Sequence, residues 1–422
     1  MTVVPTVTCS RGPAADDRRR PQAFSRLAPE HELRGPGPPL GEEGAGLPRK
    51  DGPPCLQEHP RRSVCRDAGF SAGPWWPSQR PGSVRCCARR SPVAAQASGL
   101  PALNCSAVPL PVAIADPGPA DQTMWGQLCY RGQDEPSTVQ ILIPGATYNH
   151  LYWDFPYGHG YYSYVGAATA VGYATFDVDP VGQGNSSHPA SAEVTLTAEA
   201  TALHDAVTAL RSGAVGGHAF THVMLVGHSF GSIEAWVEAA AYHDVDAVLV
   251  TGALHALNPD VSALEADLYP AVLDPKFAGS GLDEGYLTTE PGTRASLFYS
   301  PPTTDPNVVA ADEANKDTVT APLLAGGTSL LALPPAEQPT DHISVPVLVV
   351  VGQDDNLFCA GVTVYNCASA ASVQRFESQY YPPAAHLKVV VIPDTGHSLA
   401  LATTAPATDA VMLGWSLSVL AP

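Results

Sequence analysis

A serine hydroxyl is a weak nucleophile near neutral pH unless a base stands within hydrogen-bond reach and a third group orients that base. Three positions in this chain of 422 residues meet the sequence requirements for such a relay. Ser229 lies in Gly227-His228-Ser229-Phe230-Gly231, directly after the apolar run Val223-Met224-Leu225-Val226 and directly before a helical pattern. That context predicts a strained strand-to-helix turn that projects the hydroxyl from the sheet, with flanking glycines avoiding clashes at the bend. The backbone N–H of Phe230 then faces the same space. Val389-Val390-Val391-Ile392 ends in Pro393-Asp394-Thr395-Gly396-His397-Ser398, and Val347 to Val351 run into Gly352-Gln353-Asp354-Asp355. Both segments place their polar residues at the C-terminal end of a strand, where open α/β sheets build their sites. His397 is the expected base and Asp355 the expected orienting acid, with Asp354 the alternative. The chemistry of such a set is acyl transfer.

Context carries more weight than the pattern. Gly69-Phe70-Ser71-Ala72-Gly73 also has the Gly-x-Ser-x-Gly form, but no strand leads into it and Pro74 follows. His228, beside the serine, is expected to pack rather than to react.

The elements that must position these residues follow from the alternation of strand-like apolar runs with helical patterns, which indicates a mostly parallel sheet covered on both faces. Strands are expected at 108–114, 124–130, 138–143, 172–177, 221–226, 246–251, 345–351 and 387–392. Helices are expected at 162–171, 192–211, 231–242, 370–380 and 409–420. Residues 255–343 hold many Pro, Gly and acidic residues without a clear strand, too long for an ordinary connection, and are read as a cap inserted beside the site.

Charge divides the chain. Residues 1–100 carry 15 Lys/Arg and 9 Asp/Glu, a balance of +6, and the remaining residues carry 7 and 32, a balance of −25. The acidic larger part argues against a nucleic-acid partner, since phosphate binding needs clustered cations. No run of apolar residues is long enough for a transmembrane helix. The first hundred residues, with 15 Pro, 11 Gly and 14 Arg and no periodicity, are expected to be disordered. Ala95-Gln96-Ala97 resembles a small-residue cleavage site. The segment is read either as a genuine extension or as a mis-started translation, with a secreted mature enzyme beginning near Ser98. Cys9, Cys55, Cys65, Cys86 and Cys87 fall in that part and suggest no framework. Cys105 with Cys129, and Cys359 with Cys367, are expected to form two local disulfides in an oxidising compartment. No metal site and no cofactor are expected: His-Glu-x-x-His and Cys-x-x-Cys pairs are lacking, and the acidic stretch Asp305 to Glu313 reads as a solvated surface.

The chain order Ser229, Asp355, His397 is that of one convergent triad fold, and residues from about 108 to 420 resemble the α/β-hydrolase superfamily. Ile141-Leu142-Ile143-Pro144-Gly145-Ala146 is similar to the strand and turn that supply the family's second oxyanion donor, with Pro144 where many members have His. The resemblance implies an oxyanion hole formed by the N–H groups of Ala146 and Phe230, each worth on the order of 3 kcal/mol. Asp179-Pro180-Val181-Gly182-Gln183-Gly184-Asn185-Ser186 resembles a structural turn of the family. A serine at the elbow excludes the alkyl-ester intermediates that family members form on an aspartate. The expected activity is therefore hydrolysis of a small-molecule carboxylic ester, with amide, lactone or thioester cleavage, or binding without catalysis, as alternatives. Tyr148, Tyr152 and Trp153, in the aromatic loop after the oxyanion turn, are candidates to line an acyl pocket.

Overall fold

The computed structural model describes residues 99–132, 136–260 and 266–422. The N-terminal expectations, including the second Gly-x-Ser-x-Gly match and five of the cysteines, lie outside these residues.

The core is an eight-stranded sheet in the order β1-β2-β4-β3-β5-β6-β10-β11. Its members are β1 (Leu103–Val112), β2 (Gln122–Arg131), β3 (Thr138–Ile143), β4 (Ala174–Asp179), β5 (His222–His228), β6 (Ala247–Thr251), β10 (Val347–Gly352) and β11 (Lys388–Ile392). The β1–β2 and β2–β4 pairs are antiparallel and the remaining pairs parallel. Side chains along the central strands alternate between two apolar layers. Val139, Ile141, Val223, Leu225, Val248, Val250, Val347 and Val349 face one layer. Leu142, Met224, Val226, Leu249, Leu348 and Val350 face the other. Burial on both faces explains why these strands read as unbroken apolar runs.

Helices α2 (Leu196–Ser212) and α3 (Phe230–Tyr242) cover the first layer. Helix α1 (Tyr164–Ala170) and the C-terminal α8 (Ala405–Val419) cover the second. From β3 the chain moves outward to β4 and then returns past β3 to β5. Strand order reverses at that point, so the loops after β3 and β5 diverge and leave a crevice at their C-terminal ends.

Between β6 and β10 the structure departs from expectation. Three short strands, β7 (Leu268–Pro270), β8 (Tyr286–Thr289) and β9 (Val319–Thr320), form a separate antiparallel sheet. Helices α4 (Arg294–Phe298), α5 (Pro306–Asn315) and α6 (Ala321–Leu331) complete this interval. Its acidic residues have internal partners: Asp305 caps α5, Asp312 pairs with Arg294, and Glu313 lies 3.0 Å from Lys316 Nζ. Helix α7 (Ala370–Glu377) lies between β10 and β11.

Both cysteine pairs are disulfide-bonded, Cys105–Cys129 and Cys359–Cys367. Cys105 does not precede the first strand, as expected, but sits within it, directly opposite Cys129. The early part of β1 is an exposed edge, which removes the apolar signal that marks the other strands.

Candidate active site

Ser229 joins β5 to α3 with φ of 51° and ψ of −116°, a conformation that L-residues rarely hold. Its N–H donates to the Thr251 carbonyl at 2.7 Å, which ties the turn to β6. The two flanking glycines are required by space. A Cβ on Gly227 would stand 2.5 Å from the Gly231 carbonyl oxygen, and one on Gly231 would stand 2.3 Å from the Pro144 carbonyl oxygen. The spacing of that motif is therefore the spacing of a bend packed against the end of β3.

His397, 1% exposed, stands in the loop after β11, and its Nε2 lies 2.8 Å from Ser229 Oγ. Its Nδ1 lies 2.9 Å from Oδ2 of the fully buried Asp355. With Asp355 ionised, Nδ1–H donates to it, and Nε2 is left to accept the serine proton. Asp355 is held in turn: its Oδ1 accepts from the N–H groups of Leu357 at 2.8 Å and Phe358 at 3.1 Å. Asp354 points away, exposed, and accepts from Ser300 Oγ at 2.7 Å. Of the two adjacent carboxylates only Asp355 touches the imidazole.

The turn after β3 adjoins the serine, since a Cβ on Gly145 would lie 2.9 Å from Ser229 Cβ. Ala146, Phe230, Ser229 and His397 all line one cavity of about 820 Å³, open mouth included. Its other walls are largely apolar: Ile233 and Phe358 from the main body, and Leu257, Leu268, Leu324 and Leu331 from the β6–β10 interval. Among the described residues no Lys, Arg, Asp or Glu side chain lines it.

The three aromatic candidates are placed differently. Tyr148 lines the cavity. Tyr152 and Trp153 are buried behind His228, where the Tyr152 ring stacks on the imidazole at 4.1 Å and 9°. His228 is buried and its Nδ1 lies 3.1 Å from Thr251 Oγ1. Burial, reinforced by the His397 ring 4.9 Å away, holds its pKa well below the usual histidine range. A neutral His228 leaves His397 free to accept a proton without an imidazolium beside it.

Sequence reasoning missed the residues that hold the turn after β3. Thr147 has φ of 63°, and the β6–β10 interval pins it from several sides. Its N–H donates to the Thr318 carbonyl at 3.3 Å, its carbonyl accepts from Asp317 N–H at 2.8 Å, and its Oγ1 accepts from Arg294 at 3.0 Å. Arg294 is fully buried and grips Asp312 with two bonds, at 2.8 and 2.9 Å, beneath the Tyr148 ring. Tyr148 OH lies 2.6 Å from Oγ of Ser398, the neighbour of His397, and burial pushes its phenol pKa up although Arg294 opposes this. The segment that follows Arg294 reaches the other loops. Asn356 donates to the Ser296 carbonyl at 2.6 Å, Ser398 N–H to the Phe298 carbonyl at 2.9 Å, and Thr303 Oγ1 to the Asp394 carbonyl at 2.7 Å. One signal was available: among the few cations after residue 100, a lone arginine in an acidic, apolar stretch needs a partner.

The Asp179 turn behaves as a structural motif. Asp179 accepts from the N–H groups of His150 and Asn185, each at 2.8 Å, and from His150 Nδ1 at 2.8 Å.

The family model for the alpha/beta hydrolase family matches residues 140–410. Among solved structures, this chain is similar to a thermophilic esterase from Thermogutta terrifontis, with 17% identity, TM-score 0.48, 74% of this chain and 99% of that chain covered. It is also similar to a putative aryl esterase from Burkholderia cenocepacia, at 19% identity and TM-score 0.48, with coverage of 75% and 100%. Carboxylesterase CesB from Bacillus subtilis is a third, at 14% identity and TM-score 0.47, with coverage of 76% and 93%. No curated protein matches the chain.

Proposed function

The chain belongs to the alpha/beta hydrolase family, and from that premise we propose that it cleaves carboxylic esters through an acyl-enzyme on Ser229. The observation that carries this reading is the unbroken relay from Asp355 through His397 to Ser229, at 2.9 and 2.8 Å, ending on an apolar cavity. As Ser229 Oγ attacks the ester carbonyl carbon, His397 Nε2 takes its proton and the carbonyl electron pair moves onto oxygen. The N–H groups of Ala146 and Phe230 stabilise that oxyanion. Asp355 steadies the imidazolium, which then protonates the departing alkoxide as the C–O bond breaks. Water repeats the sequence and releases the acid.

A cavity walled by leucine, isoleucine and phenylalanine favours an uncharged, apolar acyl group, because no cation among the described residues of the wall would compensate a buried carboxylate. Tyr148 contacts that group, while Tyr152 and Trp153 act by holding His228 in place. Residues 255–343 serve as the cap, supplying Leu268, Leu324 and Leu331 to the wall. The two disulfides support an oxidising, extracellular setting. No helix among the described residues is long and apolar enough to cross a membrane.

A fluorophosphonate probe tests the proposal. Covalent labelling of the wild type and none of Ser229→Ala is expected, together with turnover of chromogenic esters of neutral acids. A folded wild type that neither labels nor hydrolyses any ester of the panel refutes it, and labelling with turnover confined to amides or thioesters reassigns the leaving group.

A further inference from the structure

Three residues from separate elements meet near the C-terminal end of α3, away from Ser229. His204 of α2, Glu238 of α3 and Asp244 of the α3–β6 connection each offer a ligand atom, and these atoms lie within 4.8 Å of one another. Glu238 is fully buried beside the Asp244 carboxylate, and neither of its own carboxylate oxygens has a hydrogen-bond donor among the described residues. Oδ1 of Asp244 is also buried without one. Oδ2 of Asp244 lies 2.7 Å from His204 Nδ1.

Carboxylates brought together out of water require a compensating positive charge or a retained proton. The nearby Arg211 is engaged elsewhere: its Nε donates to the Asp244 carbonyl at 2.9 Å and its Nη2 to Asp246 Oδ2 at 2.6 Å. The cluster is open enough for an ion to enter, since the His204 and Asp244 side chains are 32% and 22% exposed. It also lies at the negative end of the α3 dipole, which favours a cation.

We propose that His204, Glu238 and Asp244 bind a divalent cation, with Zn2+ as the reference ion and solvent completing its coordination. One imidazole nitrogen with two carboxylates suits a borderline transition cation better than calcium, which takes oxygen ligands. Tetrahedral zinc places its ligands about 3.4 Å apart, so the side chains draw inward on binding. The ion cross-links α2, α3 and the entry to β6. Glu238 stands nine residues from Ser229, about 14 Å along the helix, so the role is structural and independent of the acyl-transfer reading.

The test uses the full chain without a histidine tag, stripped with chelator and equilibrated with micromolar ZnCl2. The wild type is expected to retain about one equivalent by mass spectrometry of the metal and to melt roughly 3 °C higher with zinc than without. Glu238→Gln and His204→Gln are each expected to weaken binding by at least about tenfold and to lose the thermal shift. Without zinc, Glu238→Gln should melt close to the wild-type temperature, because the amide nearly matches the carboxyl group in size and shape and ends the apposition of two carboxyls. Natively folded wild type that retains under about a tenth of an equivalent, or binding that both variants leave unchanged, overturns the proposal; in the former case the carboxylates share a proton instead.

Discussion

The molecule contains two buried chains of carboxylate, imidazole and hydroxyl. In one, Asp355 holds His397 against Ser229. In the other, Glu377 Oε2 lies 2.7 Å from His255 Nδ1, and His255 Nε2 lies 3.1 Å from Thr340 Oγ1. The histidines are nearly equally buried, at 1% and 3% exposure, so burial does not tell the chains apart. Their hydroxyl ends do. Thr340 is sealed at 0% exposure and His255 is sandwiched between Trp236 and Tyr380, at 4.6 and 4.1 Å. Ser229 stands on a strained turn at the wall of a cavity. A relay of hydrogen bonds is a device for satisfying buried polar groups wherever it occurs. Access to a cavity is what sets the Ser229 relay apart from the sealed one.

Substitutions at the hydroxyl ends test this contrast most severely. Ser229→Ala should lower kcat by about 10⁵-fold with native stability, whereas Thr340→Val should leave kcat within about twofold and cost about 1–3 kcal/mol by stranding His255 Nε2, read by denaturant melts. Asp355→Asn should cost about 10⁴-fold in kcat, because the amide favours the wrong imidazole tautomer; Asp354→Asn should cost little, and parity between the two would break the assignment. Arg294→Met tests the brace that the Arg294–Asp312 pair gives the turn beside Ser229. It should lower kcat by about 10²-fold through a displaced turn after β3 and destabilise the fold by about 3–5 kcal/mol through the abandoned Asp312 charge.

The smallest effect concerns a carboxyl outside both chains. Burial raises the Asp409 pKa to about 7, so the folded state holds its proton where the unfolded chain does not. Stability should therefore fall as pH rises from about 4 to about 7 and level off above that. Asp409→Asn should flatten this slope, with its gain over wild type greatest above pH 7 and absent below pH 4 in thermal melts.

The central strands of the large sheet were legible because burial on two faces writes an apolar run, and Ser229, Asp355 and His397 were legible because each follows an apolar run at its C-terminal end. The early half of β1 was not, since an exposed edge has no such pattern. Strands β7 to β9, two to four residues long, are too short to show a period. The aromatic content of residues 148–153 was visible, but which rings reach the cavity depends on how the turn packs against His228. Arg294 and Asp312, or His204, Glu238 and Asp244, belong to different elements, and no local rule joins them.

The bonds from Arg294 to Thr303 divide the β6–β10 interval into two parts with different tolerance for change. One part grips the serine's neighbouring turn, the acid loop and the histidine loop, so deleting or grafting the interval as a module would dismantle all three. Asp317, Thr318 and Asn258 belong with that gripping part, since they bond the turn and the acid loop, whereas Leu268, Leu324 and Leu331 of the other part contribute only apolar side chains to the wall. Engineering of acyl-chain length therefore has a natural address, because those three leucines can be diversified in a library while the arginine-anchored stretch is left untouched.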